Sequence, residues 1–449
     1  MIRIGANGAP DIIFWREANM GVFQQGLSGL NTSQKSLEIT ANNVANSATV
    51  GFKSSKAQFG DVYANSLSRA DAGLAVGGGV NILAIRQEFR QGNVVATQNP
   101  LDLAISGDGF FKVKGTDGAE FLTRNGQFSL DRENKVVTAD RRDLLAFKLD
   151  PATGNALNVA EPLFISTEPI APQATDNAKF KFNLDSRTQP SAIGVFNAND
   201  PSSYSQSSSI VINNQLGEPL NLQVFWQKLG PATTPTDGGL PNQWQVHSTV
   251  NGNPVNIRTL GAPAFGPNGA ALSFATNGTL SNPNNAQYEI DLSGITPDFN
   301  GANSTVSIDM RESTQFGTEF QLQDLSQNGF DAGDFVNFTI NAEGIVTQNY
   351  TNGQTRDIAK IALFKFRNPE GLQPVGNNNW VATLQAGPEF ASNAGSAGFG
   401  GIQAGAVEEA NVDLTAELVA MIATQRIYQA NSKSIQAQDT LLQTVTNLT

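Results

Sequence analysis

The chain is 449 residues long, enough for several domains. It is poor in charge, with 15% Asp, Glu, Lys and Arg, and its formal net charge of −12 comes with no basic stripe, which argues against a nucleic-acid-binding surface. With no cysteine, there is no disulfide framework, thiolate metal site or thiol nucleophile.

Residues 1–19 fit nothing that follows them. The apolar run Ile12 to Trp15 is too short for a signal sequence or a membrane span, and no apolar run reaches about 18 residues anywhere. Membrane insertion and signal-peptide export are therefore not expected. Arg16-Glu17 is encodable as AGG-GAG, a ribosome-binding sequence a few codons ahead of Met20. Met20 is accordingly the expected start, with a poorly ordered tail as the alternative.

A first helix is predicted from about Val22 to Asn46. Phe23, Leu27, Leu30, Leu37, Ala41 and Val44 recur at alternating threes and fours if Gln34 is counted, which is the spacing of a coiled-coil seam. Asn42, Asn43, Asn46 and Gly51 mark its end. From Phe52 to Gly79 the residues are small and polar, closing on Gly77-Gly78-Gly79. This reads as an extended connector with at most a short helix around Val62 to Leu67.

From Ile82 the period becomes two. Leu101, Leu103 and Ile105, Phe110 to Val113 and Phe121 to Thr123 read as short strands parted by Gly107-Asp108-Gly109 and Asp117-Gly118. The stretch from about 170 to 316 is also β but richer in Pro, Ser and Asn, with loops such as Pro231 to Pro241. Leu222 to Trp226 and Trp244 to Val246 are its half-buried strands, in the manner of an inserted sandwich or barrel. After Thr318 the pattern of short strands and tight turns returns, with hairpin turns at Glu343-Gly344 and Asn352-Gly353. Gly395 to Gly401 reads as a flexible run.

The end of the chain, Val407 to Leu448, contains neither Pro nor Gly. Leu414, Met421, Tyr428, Ile435 and Leu442 recur every seven residues, and Leu418, Ile422 and Val445 widen that row into a face. Asn411 or Asp413 can cap the helix, and Glu417 suits its positive end. Ile427, Ala430, Ala437, Leu441 and Leu448 lie on another side, so this helix needs more than one neighbour.

The fold class expected is mainly β with long terminal α-helices paired as a coiled coil. Helical ends at 20–52 and 407–449 enclose connectors at 53–91 and 391–406. A discontinuous inner β domain follows at 92–168 and 317–390, with an outer β-sandwich or barrel at 169–316 inserted in it. Two separate core helices of one large domain are the alternative, because periodicity does not name the partner. No catalytic set emerges. His247 has no carboxylate or second histidine near it in sequence, Gly107-Asp108-Gly109 lacks the rest of a dinucleotide fingerprint, and Asp331 and Asp334 lack cation-loop spacing. No catalytic residue, cofactor or metal site is assigned, and a β-sandwich hydrolase is the competing class.

The residues also carry a resemblance. Leu27-Ser28-Gly29-Leu30, Asn42 to Asn46 and Thr49-Val50-Gly51-Phe52-Lys53 resemble the amino-terminal signature of the flagellar rod and hook proteins. Pro100 to Ile105, Gly107 to Phe111, Tyr350 to Gln354 and Phe366 to Leu372 resemble the β portion of that family. Asn411 to Leu414, Glu417 to Val419 and Gln425 to Asn431 resemble its carboxy-terminal signature. The large middle β region fits the hook members, and the shorter distal rod members are the alternative. The resemblance implies a homopolymer: a hollow, flexible tube that joins rod to filament and passes on motor torque. It implies the distal rod protein, the hook cap protein and the hook–filament junction protein as neighbours, and export through the flagellar type III apparatus into the flagellum without a cleaved signal peptide. Neither nucleic acid nor membrane insertion is implied. Leu30, Leu37, Val44, Leu414, Leu418, Met421, Tyr428, Ile435 and Leu442 are then the expected assembly interface. Phe23 and Leu27 resemble the family's export-gate motif, and they are equally two positions of the helix seam.

Overall fold

The computed structural model describes residues 12–62, 79–150, 154–191, 194–229, 242–262, 269–281, 286–293, 295, 305–396 and 398–447. Residues 1–11, Gly77-Gly78, the short helix expected beyond Val62, the loop through Pro231 and Leu448 lie outside the described residues. The chain forms two compact units. One comprises Met1–Ser166, Phe338–Thr347 and Asp357–Thr449, and the other Thr167–Asn337 and Gln348–Arg356.

In the first unit the two ends of the chain are helices, α1 (Ile12–Ala45) and α2 (Leu414–Asn447), and they pack on each other. The helix predicted from Val22 starts at Ile12, so the backbone of residues 12–19 is helical and not a loose tail. The stretch read as a connector is a two-stranded antiparallel ribbon, Ser55–Asp61 against Val80–Gln87, with a bulge after Gln58. Its small residues and bulge hide the alternation that would have revealed it.

The β portion of this unit is assembled from distant halves. Phe110–Lys114 and Glu120–Thr123 form a hairpin closed at Gly118, whose φ of 84° suits glycine. Asp143–Leu149 continues from it and pairs with Thr355–Phe366, while Asn379–Val381 pairs with Glu120–Thr123. Leu363 stands opposite Phe111, and Leu103, Phe111, Val113, Leu144, Ile361 and Leu363 fill one core from both halves. Each such side chain stabilises by roughly 1.5–3 kcal/mol when removed from water. Within the run Gly395 to Gly401, expected to be flexible, Gly395 N–H donates to the Gly400 carbonyl and Gly400 N–H to the Asp108 carbonyl. The run leads into Gly401–Ala404, which pairs with Leu103–Ser106.

The second unit is two sheets around one core. Asn177–Asp185 is flanked by Thr305–Asp309, Thr314–Phe316 and Gln321–Gln327, with Gln287–Asp291 and Ile257–Thr259 beyond. Gln206–Asn213, Pro219–Lys228, Gln243–Val250 and Asn253–Val255 form the other sheet in order, and Ala270–Ser273 pairs with Gln243–Val250. Alternation sets the faces. Phe180, Phe182 and Leu184 point inward from one strand and Leu222, Val224 and Trp226 from another, with the Phe182 and Trp226 rings 4.5 Å apart.

His247, the chain's single histidine, is buried on the opposite face of Gln243–Val250 from Val246. Its ring stacks on Phe196 at 4.1 Å, and Nε2 lies 3.3 Å from Gln227 Oε1. Burial pushes its pKa down from 6.5 to about 4. Between those values the unfolded chain binds a proton that the folded unit refuses, so stability falls as pH drops through that window, by up to about 3 kcal/mol. Calorimetry of the full chain should show the second unit's transition falling in temperature between pH 6.5 and 4. His247→Phe should flatten that dependence.

Candidate assembly site: the helix pair and its buried ionic base

The helices run antiparallel in one register. A Cβ on Gly26 would stand 3.1 Å from Ile435 Cγ1, one on Gly29 would stand 2.9 Å from Asn431 Nδ2, and Asn43 Nδ2 donates to Glu417 Oε1 at 3.0 Å. Glycine at 26 and 29 is thus a condition of close approach rather than of backbone angle.

The seam differs from the one the apolar spacing suggests. On α1 the half-buried Leu30, Leu37 and Val44 alternate with Gly26, Ser33 and Thr40, and the most buried side chains are Ser33, Thr40 and Asn43. Ser33 Oγ donates to the Gly29 carbonyl at 2.7 Å, so its burial leaves no orphaned hydroxyl. Phe23, Leu27, Gln34 and Ala41, counted into the seam by spacing, are exposed. On α2 the half-buried residues are Glu417, Met421, Thr424, Tyr428, Asn431, Ser432, Ile435 and Gln438. This is a heptad with one apolar and one polar row. Leu414 and Leu442, on the expected row, are exposed, as are Leu418 and Ile422 beside it and Ile427, Ala430, Ala437 and Leu441 on the other side.

Asp413 caps α2, its Oδ1 accepting from the N–H groups of Thr415 and Ala416 at 3.0 and 3.1 Å. Asn411, the other capping candidate, ties segments together instead. Its Oδ1 accepts from Ser54 N–H at 2.7 Å and its Nδ2 donates to the carbonyls of Glu88 and Arg90 at 2.6 and 3.1 Å. The ribbon is fastened along α1 at both ends. Asn43 exchanges two 2.9 Å bonds with the backbone of Ser55, and Ser28 Oγ accepts from Val80 N–H at 3.3 Å. The lengths agree: roughly fifteen helix residues span ~22 Å, and roughly seven strand residues span ~23 Å.

At the base of the helix pair lies a sealed ionic cluster. Glu408, fully buried on the strand Ala406–Glu408, receives Lys53 Nζ at 2.6 Å and Gly92 N–H at 2.8 Å on Oε1, and Arg124 Nη1 at 3.0 Å on Oε2. Lys53 Nζ also donates to the Arg90 carbonyl, and Arg124 Nη2 to the Gly107 carbonyl. Burial holds the Lys53 ammonium below the ordinary lysine range; the Glu408 carboxylate opposes this and the Arg124 guanidinium adds to it. Burial likewise lowers Arg124, again opposed by Glu408. Gly51, at φ +72°, donates its N–H to the Glu408 carbonyl at 2.7 Å, and any Cβ there would strike Asn125 N at 2.5 Å. Spacing could not find this cluster, because its three members are distant in the chain.

Such a site holds segments together and offers no chemistry to a substrate. Among the described residues no group of acidic or histidine side chains is arranged to hold a metal ion, and no helix is long and apolar enough to cross a membrane. Asp331 and Asp334 belong to a turn in which Asn352 Nδ2 donates to the Asp331 carbonyl and Asp334 N–H to Thr351 Oγ1.

Comparison with known proteins defines the class. Family models match along the chain: flagella basal body rod protein at 23–53, flagellar hook protein FlgE/F/G D1 domain at 104–162, flagellar basal body protein FlaE D2 domain at 183–330, and flagellar basal body rod FlgEFG protein C-terminal at 403–448. The chain is 35% identical to the flagellar hook protein FlgE of Escherichia coli over 437 residues, covering 95% of this chain and 99% of that one. It is 29% identical to the FlgE of Borreliella burgdorferi over 94% of this chain and 98% of that one. A crystal structure of Helicobacter pylori flagellar hook protein FlgE2 shares the fold at a TM-score of 0.51 and 14% identity, over 69% of this chain and 99% of that one. The chain belongs to the flagellar hook protein FlgE family. Its members are structural, non-enzymatic subunits of the flagellum that self-assemble into the hook.

Removing one partner of a buried ion pair typically costs about 3–5 kcal/mol, because the remaining charge stays buried without its counter-ion. Glu408→Ala leaves two cations in that state. Denaturant unfolding of the full chain should show the first unit's transition destabilised by about that amount. Glu38→Gln, which breaks the exposed Lys35–Glu38 pair on α1, should leave the midpoint unchanged.

Proposed function

We propose that the chain polymerises into a hollow tube in which paired α1 and α2 helices line the inside and the β units face outward. The tube is a flexible joint that carries torque from rod to filament. One observation supports this most: α2 is already paired with α1, yet Leu414, Leu418 and Ile422 remain exposed at four-residue spacing. Such a stripe on a helix that already has a partner calls for a further neighbour. In this reading Leu30, Leu37, Val44, Met421, Tyr428 and Ile435 hold the pair within each subunit, and Leu414, Leu418 and Leu442 meet adjacent subunits.

Bending requires outer contacts that shift while inner ones hold. Packed helices suit the second task and shallow, weakly charged β surfaces the first. The distal rod protein, the hook cap protein and the hook–filament junction protein are the proposed neighbours at the ends of the tube. Export is proposed to run through the flagellar type III apparatus, with the exposed Phe23 and Leu27 free to be read at its gate before assembly.

Leu418→Asp tests the inner layer. Leu418 is exposed in the single chain, so the variant should keep the helix pair and the β units, with an unchanged circular dichroism spectrum. In the polymer it places an unpaired charge in an apolar contact, so assembly should fail. Asp439→Asn, at an exposed polar position, should assemble as the parent does. Ordinary tubes from Leu418→Asp would show that this stripe is not buried between subunits.

A further inference from the structure

Asparagine followed by glycine is chemically labile, because glycine puts no side chain in the way of its own nitrogen reaching the asparagine Cγ. The chain has eight such pairs, and the described residues include both members of five, at 125–126, 251–252, 277–278, 328–329 and 352–353. In four of these the fold restrains the reaction. Gly126 is buried, with the Leu103 carbonyl oxygen 1.6 Å from where a Cβ would stand. The Gly278 N–H donates to the Ala275 carbonyl at 3.0 Å and the Gly353 N–H to the Tyr350 carbonyl at 3.1 Å. The Gly329 N–H donates to Gln327 Oε1, and Asn328 Nδ2 donates to Asp176 Oδ1.

Asn251 differs at each point. Asn251-Gly252 is the exposed two-residue turn between Gln243–Val250 and Asn253–Val255, with Val250 opposite Asn253. A Cβ on Gly252 would meet nothing within 4 Å. Neither the Gly252 N–H nor Asn251 Nδ2 has a partner among the described residues. Asn251 Oδ1 accepts the Asn221 N–H at 2.9 Å. That donor sits where negative charge gathers when the amide carbon is attacked. Ring closure needs the Asn251 backbone to rotate out of the turn. The strand beyond it, Asn253–Val255, is a three-residue edge strand paired with one neighbour, so few bonds oppose that opening.

From these features we infer that Asn251 is a self-modification site, converting to aspartate and isoaspartate ahead of the other four. The Gly252 nitrogen gives its proton to hydroxide and bonds to Asn251 Cγ. The Cγ–Nδ2 bond breaks, and Nδ2 leaves as ammonia with a proton from water. Water then opens the cyclic imide at either carbonyl, so the net change is amide plus water to carboxylate plus ammonium. The product adds a negative charge at the turn. In the isoaspartyl form the backbone is one carbon longer, which breaks the Val250–Asn253 register. This site lies in the second unit and does not depend on the polymer reading above.

The test is incubation of the full folded chain in heavy-oxygen water at mildly alkaline pH, followed by digestion and mass spectrometry. Electron-transfer fragmentation tells isoaspartate from aspartate. The peptide holding Asn251 should take up heavy oxygen at least about tenfold faster than those holding Asn125, Asn277, Asn328 and Asn352, whose surroundings must open first. Its rate should rise in proportion to hydroxide. In denaturant, where only the shared dipeptide chemistry remains, all five should react at comparable rates. Earlier conversion at any of the other four, or equal rates in the folded chain, would overturn the assignment. So would a folded chain that keeps Asn251 intact while the denatured chain converts.

Discussion

A single buried carboxylate fixes how the helical ends of this chain meet its β portion. Glu408 draws in Lys53 from the segment after α1, Gly92 from the loop before strand Val94–Ala96, and Arg124 from the end of a core hairpin. Three donors meet its two oxygens in a place without solvent, where one missing partner is costly. The surrounding backbone is shaped to the same end. Gly51 adopts a left-handed conformation so that its N–H reaches the Glu408 carbonyl, and Asn411 stitches Ser54 to the segment carrying Glu88 and Arg90. The helix pair therefore starts from a defined position.

Above the base, packing is arranged with restraint. A seam of leucines on both rows would bind α1 to α2 more tightly, since each buried aliphatic side chain adds roughly 1.5–3 kcal/mol. The chain instead gives one row of each helix to Gly26, Ser33 and Thr40 and to Glu417, Thr424, Asn431 and Gln438. Small residues bring the backbones close, and the polar ones fix register through bonds such as Asn43 to Glu417. The apolar residues this releases, Leu414, Leu418, Ile422, Ile427 and Leu441, face outward. That leaves apolar surface available on a chain whose family self-assembles into the hook.

Much of the fold was legible in the sequence for local reasons. The carboxy-terminal helix announces itself through a seven-residue repeat free of Pro and Gly, the amino-terminal one through its threes and fours, and the hairpins through Asp117-Gly118 and Asn352-Gly353, because these signals live within a few residues. The features that were not legible depend on residues far apart or on side chains that spacing rules discount. Ser33 and Thr40 are buried although polar; the Ser33 hydroxyl is bonded back to its own helix, which makes its burial cost little. The ribbon Ser55–Asp61 with Val80–Gln87 hides behind small residues and a bulge. Lys53, Arg124 and Glu408 each look like surface charges until the fold brings them together. The expected apolar seam went astray at Phe23, Leu27 and Ala41 for the same reason: periodicity finds a stripe but not which side of it is occupied.

The dependence on Glu408 is tested most directly by a double-mutant cycle between it and Lys53. Lys53→Met, Glu408→Leu and the double variant are compared with the parent by denaturant unfolding of the full chain, following the first unit's transition. Partners in one buried network should show a coupling of at least about 2 kcal/mol, with the double variant losing less than the two single changes together although Arg124 still lacks its counter-ion. Additive effects within about 0.5 kcal/mol would contradict the central role given to this pair.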